Sequence, residues 1–291
     1  HGRLKQAVEM VNPTMAYVAD AAQYDSALRL DFFEGVELVS SNPGTVPSTP
    51  FGDLLAGASS VDVAAAHAQV TPETIAKILM TSGSTSAPKG VLTTHKMMCV
   101  NQAQLARALP FLQERPPRIV DWLPWNHVFG GSHNVNMMLA NGGSLYIDGG
   151  KPAPGLFDQT VENLKLMTGT LCFNVPVGFQ MLLNALQDDV SLRQRFFENL
   201  DMVFYAGASL PQEVWDGFET MAMEIKGEVP LITSSWGLTE TAPAVLLQQE
   251  PIDTSGVVGV PLPGITMKLI PQDDNRFEVR TKGPNIMTSY F

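Results

Sequence analysis

Cysteine is almost missing from this chain, with only Cys99 and Cys172 among 291 residues. Two thiols supply neither a disulfide framework nor a thiolate metal cluster, and both read most simply as small buried apolar groups. Positive charge is also scarce, with 18 Lys+Arg against 29 Asp+Glu and a formal net charge of −11. Phosphate backbones and acidic lipids repel such a surface, which argues against a nucleic-acid or membrane partner. Charged residues make up only 16%, below the roughly 25% common in soluble domains. No apolar run approaches the ~18 residues of a membrane span, and the opening HGRLKQAVEMVNP lacks the positive-then-apolar order of a secretory signal. A reducing, cytoplasmic setting is therefore expected. No internal repeat is visible. The chain lacks an initiator Met and stops at Ser289-Tyr290-Phe291 without punctuation, so it reads as a fragment cut at both ends.

What is present is an ordinary apolar share of 45%, enough for a large core and roughly two domain-sized units. Strand-like runs at 15–19, 75–81, 118–123, 144–147, 170–173, 202–207 and 230–234 alternate with helical patterns. Helices are expected over 96–109 and after first-turn prolines at Pro176 and Pro211. Leu182, Leu183 and Leu186 would form one core stripe. The alternation predicts α/β architecture, with mixed, largely parallel sheets flanked by helices. Residues 1–243 are expected to form the α/β part. Residues 244–291, with short runs at 266–270 and 276–281, would begin a small β-barrel-like region. Residues 40–60 read as a Ser/Pro/Gly-rich surface connection.

The segment Thr81-Ser82-Gly83-Ser84-Thr85-Ser86-Ala87-Pro88-Lys89-Gly90 follows an apolar strand. Glycine lets backbone N–H groups approach an anion, Ser and Thr add donors, and Lys89 adds a point charge, so the stretch suits a polyphosphate. It is not a Walker loop, because Pro88 precedes the lysine and Gly90 follows it. On composition alone a solvated turn remains open. In residue order, the segment resembles the phosphate-binding loop of the adenylate-forming superfamily (acyl-CoA synthetases, luciferase, adenylation domains), with Ser86 in place of the customary glycine.

Three further segments occur in the superfamily's order. Ser235-Trp236-Gly237-Leu238-Thr239-Glu240 offers an aromatic face for adenine, a hydroxyl for a phosphate and a carboxylate for Mg²⁺; alone, Glu240 would read as a solvated loop glutamate. Tyr205-Ala206-Gly207-Ala208-Ser209-Leu210-Pro211 resembles the segment lining the adenine and acyl pockets. It is not a nucleophile elbow, since Pro211 occupies the second glycine position. Trp125-Asn126-His127-Val128-Phe129-Gly130-Gly131-Ser132-His133 has the mixed texture of a substrate-pocket wall. A metal pair from His127 and His133 lacks HExxH-like spacing and a third ligand, and His133 reads as a hydrogen-bonded structural residue. His67 and His95 have no evident partners, and the 14 Met read as core filler.

The wording of DWLPWNHVFGGSHNVN, LYIDGGKPAPG, FNVPVGFQMLL, FFENLDMVFYAGASL and LTETAPA resembles feruloyl-CoA synthetases, which ligate hydroxycinnamates. The resemblance implies a large-domain fragment of an enzyme, with an acidic motif carrying the ribose-binding Asp, a hinge, and a mobile C-terminal domain carrying the adenylation lysine all lying outside this sequence. It implies ATP, Mg²⁺ and coenzyme A as cofactors, a carboxylic acid as substrate, acyl-adenylate formation followed by thioester formation, and a homodimer. It assigns Thr81, Ser82, Gly83, Ser84, Thr85 and Lys89 to phosphates. It puts Gly207, Ala208, Ser209, Ser235, Trp236 and Gly237 around the nucleotide, Thr239 at the α-phosphate and Glu240 at the metal. Trp125, His127, Phe129, Gly130 and Tyr205 would line the substrate pocket, with His127 and Lys89 also catalytic. The fragment itself is expected to turn over poorly. A fatty-acyl or benzoate ligase, and a non-catalytic nucleotide-binding module, remain the alternatives.

Overall fold

The computed structural model describes residues 2–57, 61–81 and 88–291. They fall into two compact units, one ending at Leu92 but including Thr288–Phe291, the other spanning Thr93–Met287.

The first unit runs α1 (Gly2–Val11), β1 (Met15–Asp20), α2 (Ala21–Leu28), β2 (Glu37–Asn42), β3 (Thr49–Pro50), α3 (Phe51–Ala56), α4 (Val63–His67), β4 (Ile75–Thr81) and β5 (Lys89–Thr94). Strands β1, β2 and β3 form a parallel sheet. Helix α2 begins where the Asp20 carboxylate accepts the Ala22 N–H at 3.0 Å. From the same helix Asp25 accepts the Thr45 and Val46 N–H groups at 3.0 and 3.3 Å. This draws the loop after β2 down until a Cβ on Gly44 would stand 2.7 Å from Asp25 Oδ1, and it closes the Ala21, Leu28 and Val46 cluster. Strands β4 and β5 pair. Ser82, Gly83, Ser84 and Thr85 lie between them, outside the described residues. Phe291 N donates to Gly90 O at 2.8 Å, and Tyr290 bridges antiparallel to Val91, so the final residues run along β5.

The second unit runs α5 (His95–Ala108), β6 (Arg118–Asp121), α6 (Val135–Ala140), β7 (Ser144–Ile147), α7 (Phe157–Leu166), β8 (Leu171–Asn174), α8 (Pro176–Asp188), α9 (Val190–Glu198), β9 (Met202–Tyr205), α10 (Gln212–Lys226), β10 (Leu231–Gly237), β11 (Ala244–Leu247), β12 (Val260–Pro261), β13 (Thr266–Pro271) and β14 (Phe277–Lys282). Strands β6 and β7 make a parallel pair. The main sheet has the order β12-β11-β10-β9-β8, with β8, β9 and β10 parallel and β11 and β12 antiparallel.

Both faces of this sheet are covered, and β9 shows how. Val203 and Tyr205 enter a cluster with Leu182, Leu186, Phe196, Phe197, Trp215 and Phe218 of α8, α9 and α10. Met202 and Phe204 enter a second cluster with Leu105 of α5, Ile119 of β6 and Met137 of α6. The period-2 alternation therefore feeds two cores, and all four residues are buried.

The α/β fold is as the sequence predicts. Pro176 opens α8 as expected, while Pro211 is the residue before α10 rather than its first. Three details differ. Residues 244–247 continue the main sheet as β11 instead of starting a separate β region; the β13–β14 hairpin is the separate element. Cys99 is exposed, not buried, because it lies on the outer side of α5. Residues 128–134 wind into a π-helix, which no hydrophobic period announces.

Candidate active site

The π-helix and the C-terminal ends of β8, β9 and β10 enclose a cavity of about 730 Å³, all within the second unit. Its position outside the carboxyl ends of parallel strands is the usual binding crevice of open α/β sheets.

One wall is the stretch after β6. His127 caps the π-helix, its Nδ1 accepting the Phe129 N–H at 3.2 Å. The neutral imidazole therefore carries its proton on Nε2 and offers a donor at the exposed rim. Phe129 borders the cavity. Gly130 does not: it is buried, and a Cβ there would lie 2.6 Å from Pro124 O. With Gly131, whose Cβ would fall 2.0 Å from Trp125 O, it lets the π-turn close on the preceding backbone. Trp125 is 52% exposed and lies outside the cavity lining. Its neighbour Trp122 lines the cavity instead, with Nε1 donating to Asn174 Oδ1 at 3.2 Å.

A second wall follows β9. Tyr205, Gly207, Ala208 and Ser209 all border the cavity. Gly207 adopts φ +92°, the left-handed region glycine enters without strain, and no atom stands within 3.8 Å of where its Cβ would be. The Tyr205 hydroxyl accepts the Gly256 N–H at 3.2 Å, which holds the 256–258 loop along the cavity.

The third wall is the end of β10. Ser235, Trp236 and Gly237 border the space. The Ser235 hydroxyl is committed to Leu246 O at 2.7 Å, so that residue faces a ligand mainly through its backbone. The β10–β11 register shifts between Trp236 and Gly237, and a Cβ on Gly237 would lie 1.9 Å from Pro243 O. Thr239 and Glu240 follow, half-buried on a 3₁₀ turn, next to the cavity lining in sequence but not part of it. That turn is clamped. Asn285 Nδ2 donates to Thr241 O and Ala244 O at 2.6 and 3.1 Å, and Asn101 exchanges two bonds with the Ala244 backbone at 2.8 and 3.3 Å. Met287 N donates to Glu240 O at 2.9 Å.

Thr81 and Lys89 belong to the first unit. Thr81 Oγ1 donates to Lys89 O at 3.4 Å, so the two flank residues 82–87 as neighbours. Lys89 is exposed, with Nζ 4.9 Å above the Tyr290 ring. Among the described residues no three His, Cys, Asp or Glu side chains gather to hold a metal. Glu240 as a single carboxylate suits Mg²⁺ only where phosphate oxygens and water complete the shell.

A buried chain of polar groups, which motif reading alone does not reveal, stands behind the first wall. Asp121, at the end of β6, accepts the Leu123 N–H at 3.1 Å and the Asn134 amide at 2.9 Å. Asn134 Oδ1 lies 2.9 Å from His133 Nδ1. Burial raises the Asp121 carboxyl to about 6, opposed by those two bonds. Burial depresses His133 to about 4, with the Asn134 bond opposing. His133 borders the cavity and is 1% exposed.

The AMP-binding enzyme family model matches residues 4–291. A long-chain-fatty-acid–CoA ligase of Escherichia coli is 29% identical over 232 residues, covering 77% of this chain and 39% of that protein. The structure resembles a long-chain-fatty-acid–CoA ligase of Archaeoglobus fulgidus, with a TM-score of 0.74, 24% identity, and coverage of 99% and 56% of the two chains. It also resembles ATP-bound MatB of Rhodopseudomonas palustris, with a TM-score of 0.72, 20% identity, and coverage of 99% and 54%. The chain thus spans about two-fifths of the length of the curated ligase.

Proposed function

The chain belongs to the AMP-binding enzyme family, within the adenylate-forming superfamily, and from that premise we propose that it carries the nucleotide and acyl sites of an ATP-dependent acid–CoA ligase. The observation that carries this reading is that three separately recognised segments, 125–133, 205–211 and 235–240, each contribute residues to the lining of one cavity.

In this reading Trp236 and the open backbone at Gly207–Ser209 take the adenine side, Thr239 donates to the α-phosphate and Glu240 faces the metal. The rim Nε2–H of His127 orients the acid carboxylate for attack on the α-phosphorus. That attack releases pyrophosphate and leaves an acyl-adenylate, from which the coenzyme A thiol displaces AMP. Mg²⁺, when bound, offsets phosphate charge. The chain's own contribution is positioning and fixed donors: the Asn101 and Asn285 bonds hold the 239–244 turn before any ligand arrives, so little reorganisation is left for the reaction. Lys89 and the 81–90 segment are assigned to the β and γ phosphates.

A hydroxycinnamate such as ferulate is the proposed acid, because the detailed wording of the motifs follows that group. A long-chain fatty acid is the second reading, favoured by the 29% identical relatives. The test is pyrophosphate release by the full-length protein. Thr239→Val and Glu240→Gln should each slow it by on the order of 10²-fold, the usual cost of one preorganised group. Unchanged rates in both variants would remove the assignment.

A further inference from the structure

The cavity holds two imidazoles, and their local hydrogen bonds give them opposite polarity. His127, at the rim, has Nδ1 filled by the Phe129 N–H and so offers Nε2–H, which suits an anionic oxygen. His133 is the reverse case. Asn134 Nδ2 is turned toward the Asp121 carboxylate at 2.9 Å, which leaves Asn134 Oδ1 facing His133 Nδ1 at 2.9 Å. An amide oxygen accepts only, so Nδ1 must carry the proton and Nε2 holds a bare lone pair. That Nε2 is buried and has no hydrogen-bond partner among the described residues.

The surroundings make this atom a recognition element for a ligand. Asn134 and Asp121 do not border the cavity, whereas His133, Phe129 and Phe204 do. The ring is packed by Phe204, Phe173 and Phe129 at centroid distances of 4.9, 5.5 and 5.9 Å, none of which can donate a conventional hydrogen bond. An unpaired polar atom in such a place is a loss of stability that a bound donor recovers.

We propose that His133 is the specificity-determining residue of the acyl site, its Nε2 accepting a hydrogen bond from an O–H or N–H group on the end of the acid remote from the carboxylate. The inference rests on the ligase reading for its acid. It selects within that reading: an acid with a donor at its far end fits, and a plain hydrocarbon tail leaves the lone pair buried and unmet. An aromatic ring bearing a hydroxyl meets both the phenylalanine cage and the acceptor.

The test compares 4-hydroxycinnamate, cinnamate and 4-methoxycinnamate, titrated calorimetrically into the chain and into His133→Phe. One net hydrogen bond at a buried site corresponds to about tenfold in affinity. The hydroxy acid should therefore bind about tenfold tighter than the other two, the methoxy compound failing because it only accepts. In His133→Phe the preference should collapse to about onefold while cinnamate binding is kept. His133→Gln, which retains an acceptor, should restore part of it. Equal affinities in the unaltered chain, or no binding of any of the three, would overturn the proposal without reliance on a variant that fails to fold. Pyrophosphate release by the full-length protein separates the two readings. Release that ignores the hydroxyl sinks His133 as selector and leaves the ligase, whereas hydroxyl-selective binding with no release from any acid sinks the ligase and leaves the selector.

Discussion

Asp121 and His133 stand at opposite ends of one hydrogen-bonded chain, and burial moves their proton affinities in opposite directions. Asp121 rises from its ordinary 3.8 to about 6, so between those values the native state holds a proton that the unfolded state has released. Stability therefore falls as pH rises from about 4 to 6. His133 drops from 6.5 to about 4, so between those values the unfolded state holds the extra proton and stability rises with pH. At about 1.4 kcal/mol per pH unit of displacement, each effect is about 3 kcal/mol, and over pH 4–6 they nearly cancel. Asp121→Asn should unmask the histidine: its stability relative to the unaltered chain should climb by about 3 kcal/mol from pH 4 to 6. His133→Phe should unmask the aspartate, its relative stability falling by about the same amount between pH 4 and 6.5. All four tryptophans, Trp122, Trp125, Trp215 and Trp236, lie in the second unit, so urea titrations followed by their fluorescence report this unit's unfolding. Taking differences from the unaltered chain at each pH removes the background from other carboxylates. Two differences that stay flat within 1 kcal/mol would refute the argument that this polar chain is buried and charged as described.

Other outcomes follow from single contacts. Asn285→Ala removes the side-chain donor to Thr241 O and leaves Ala244 O with the Asn101 amide alone, which should cost about 1–3 kcal/mol in the same urea assay, with nucleotide affinity falling alongside. Gly237→Ala forces a Cβ to within 1.9 Å of Pro243 O; the backbone shift should cost about 1–3 kcal/mol or more. A thiol-reactive disulfide reagent at pH 8 should label exposed Cys99 quickly in the folded chain and half-buried Cys172 far more slowly, because burial pushes that thiol up to about 12.

What the sequence made legible was contiguous. The strand at 144–147, the helix opening at Pro176 and the stripe of Leu182, Leu183 and Leu186 each rest on a period or a breaker within a dozen residues, and each is present. The motif segments were readable because their chemistry is packed into a few neighbours. Missing from that reading were the partners that act across the chain. Asn101 meets Ala244 over 143 positions, and Asn285 meets Thr241 over 44. No local pattern marks an asparagine as a clamp, and only the sheet brings these pairs together. Trp125 and Gly130, expected at the substrate pocket, do not border this cavity. Trp125 sits on the exposed turn before the π-helix while Trp122, just after β6, borders the cavity; Gly130 is taken up by the close packing of the π-turn against Pro124 O.

His133 shows why the bland reading of a histidine and the functional one need not compete. Its Nδ1 is satisfied by Asn134 as a structural residue's would be, and that same bond fixes the tautomer that leaves Nε2 an acceptor. A core selected for stability alone would fill this position with another apolar ring beside Phe129, Phe173 and Phe204, and Asp121 with a residue carrying no charge. Instead, two ionisable groups are buried where each loses proton-linked stability over part of the pH range. Along the Asp121, Asn134 and His133 side chains each polar atom is bonded except Nε2, the one at the cavity, which is the pattern expected where binding rather than stability sets the residue.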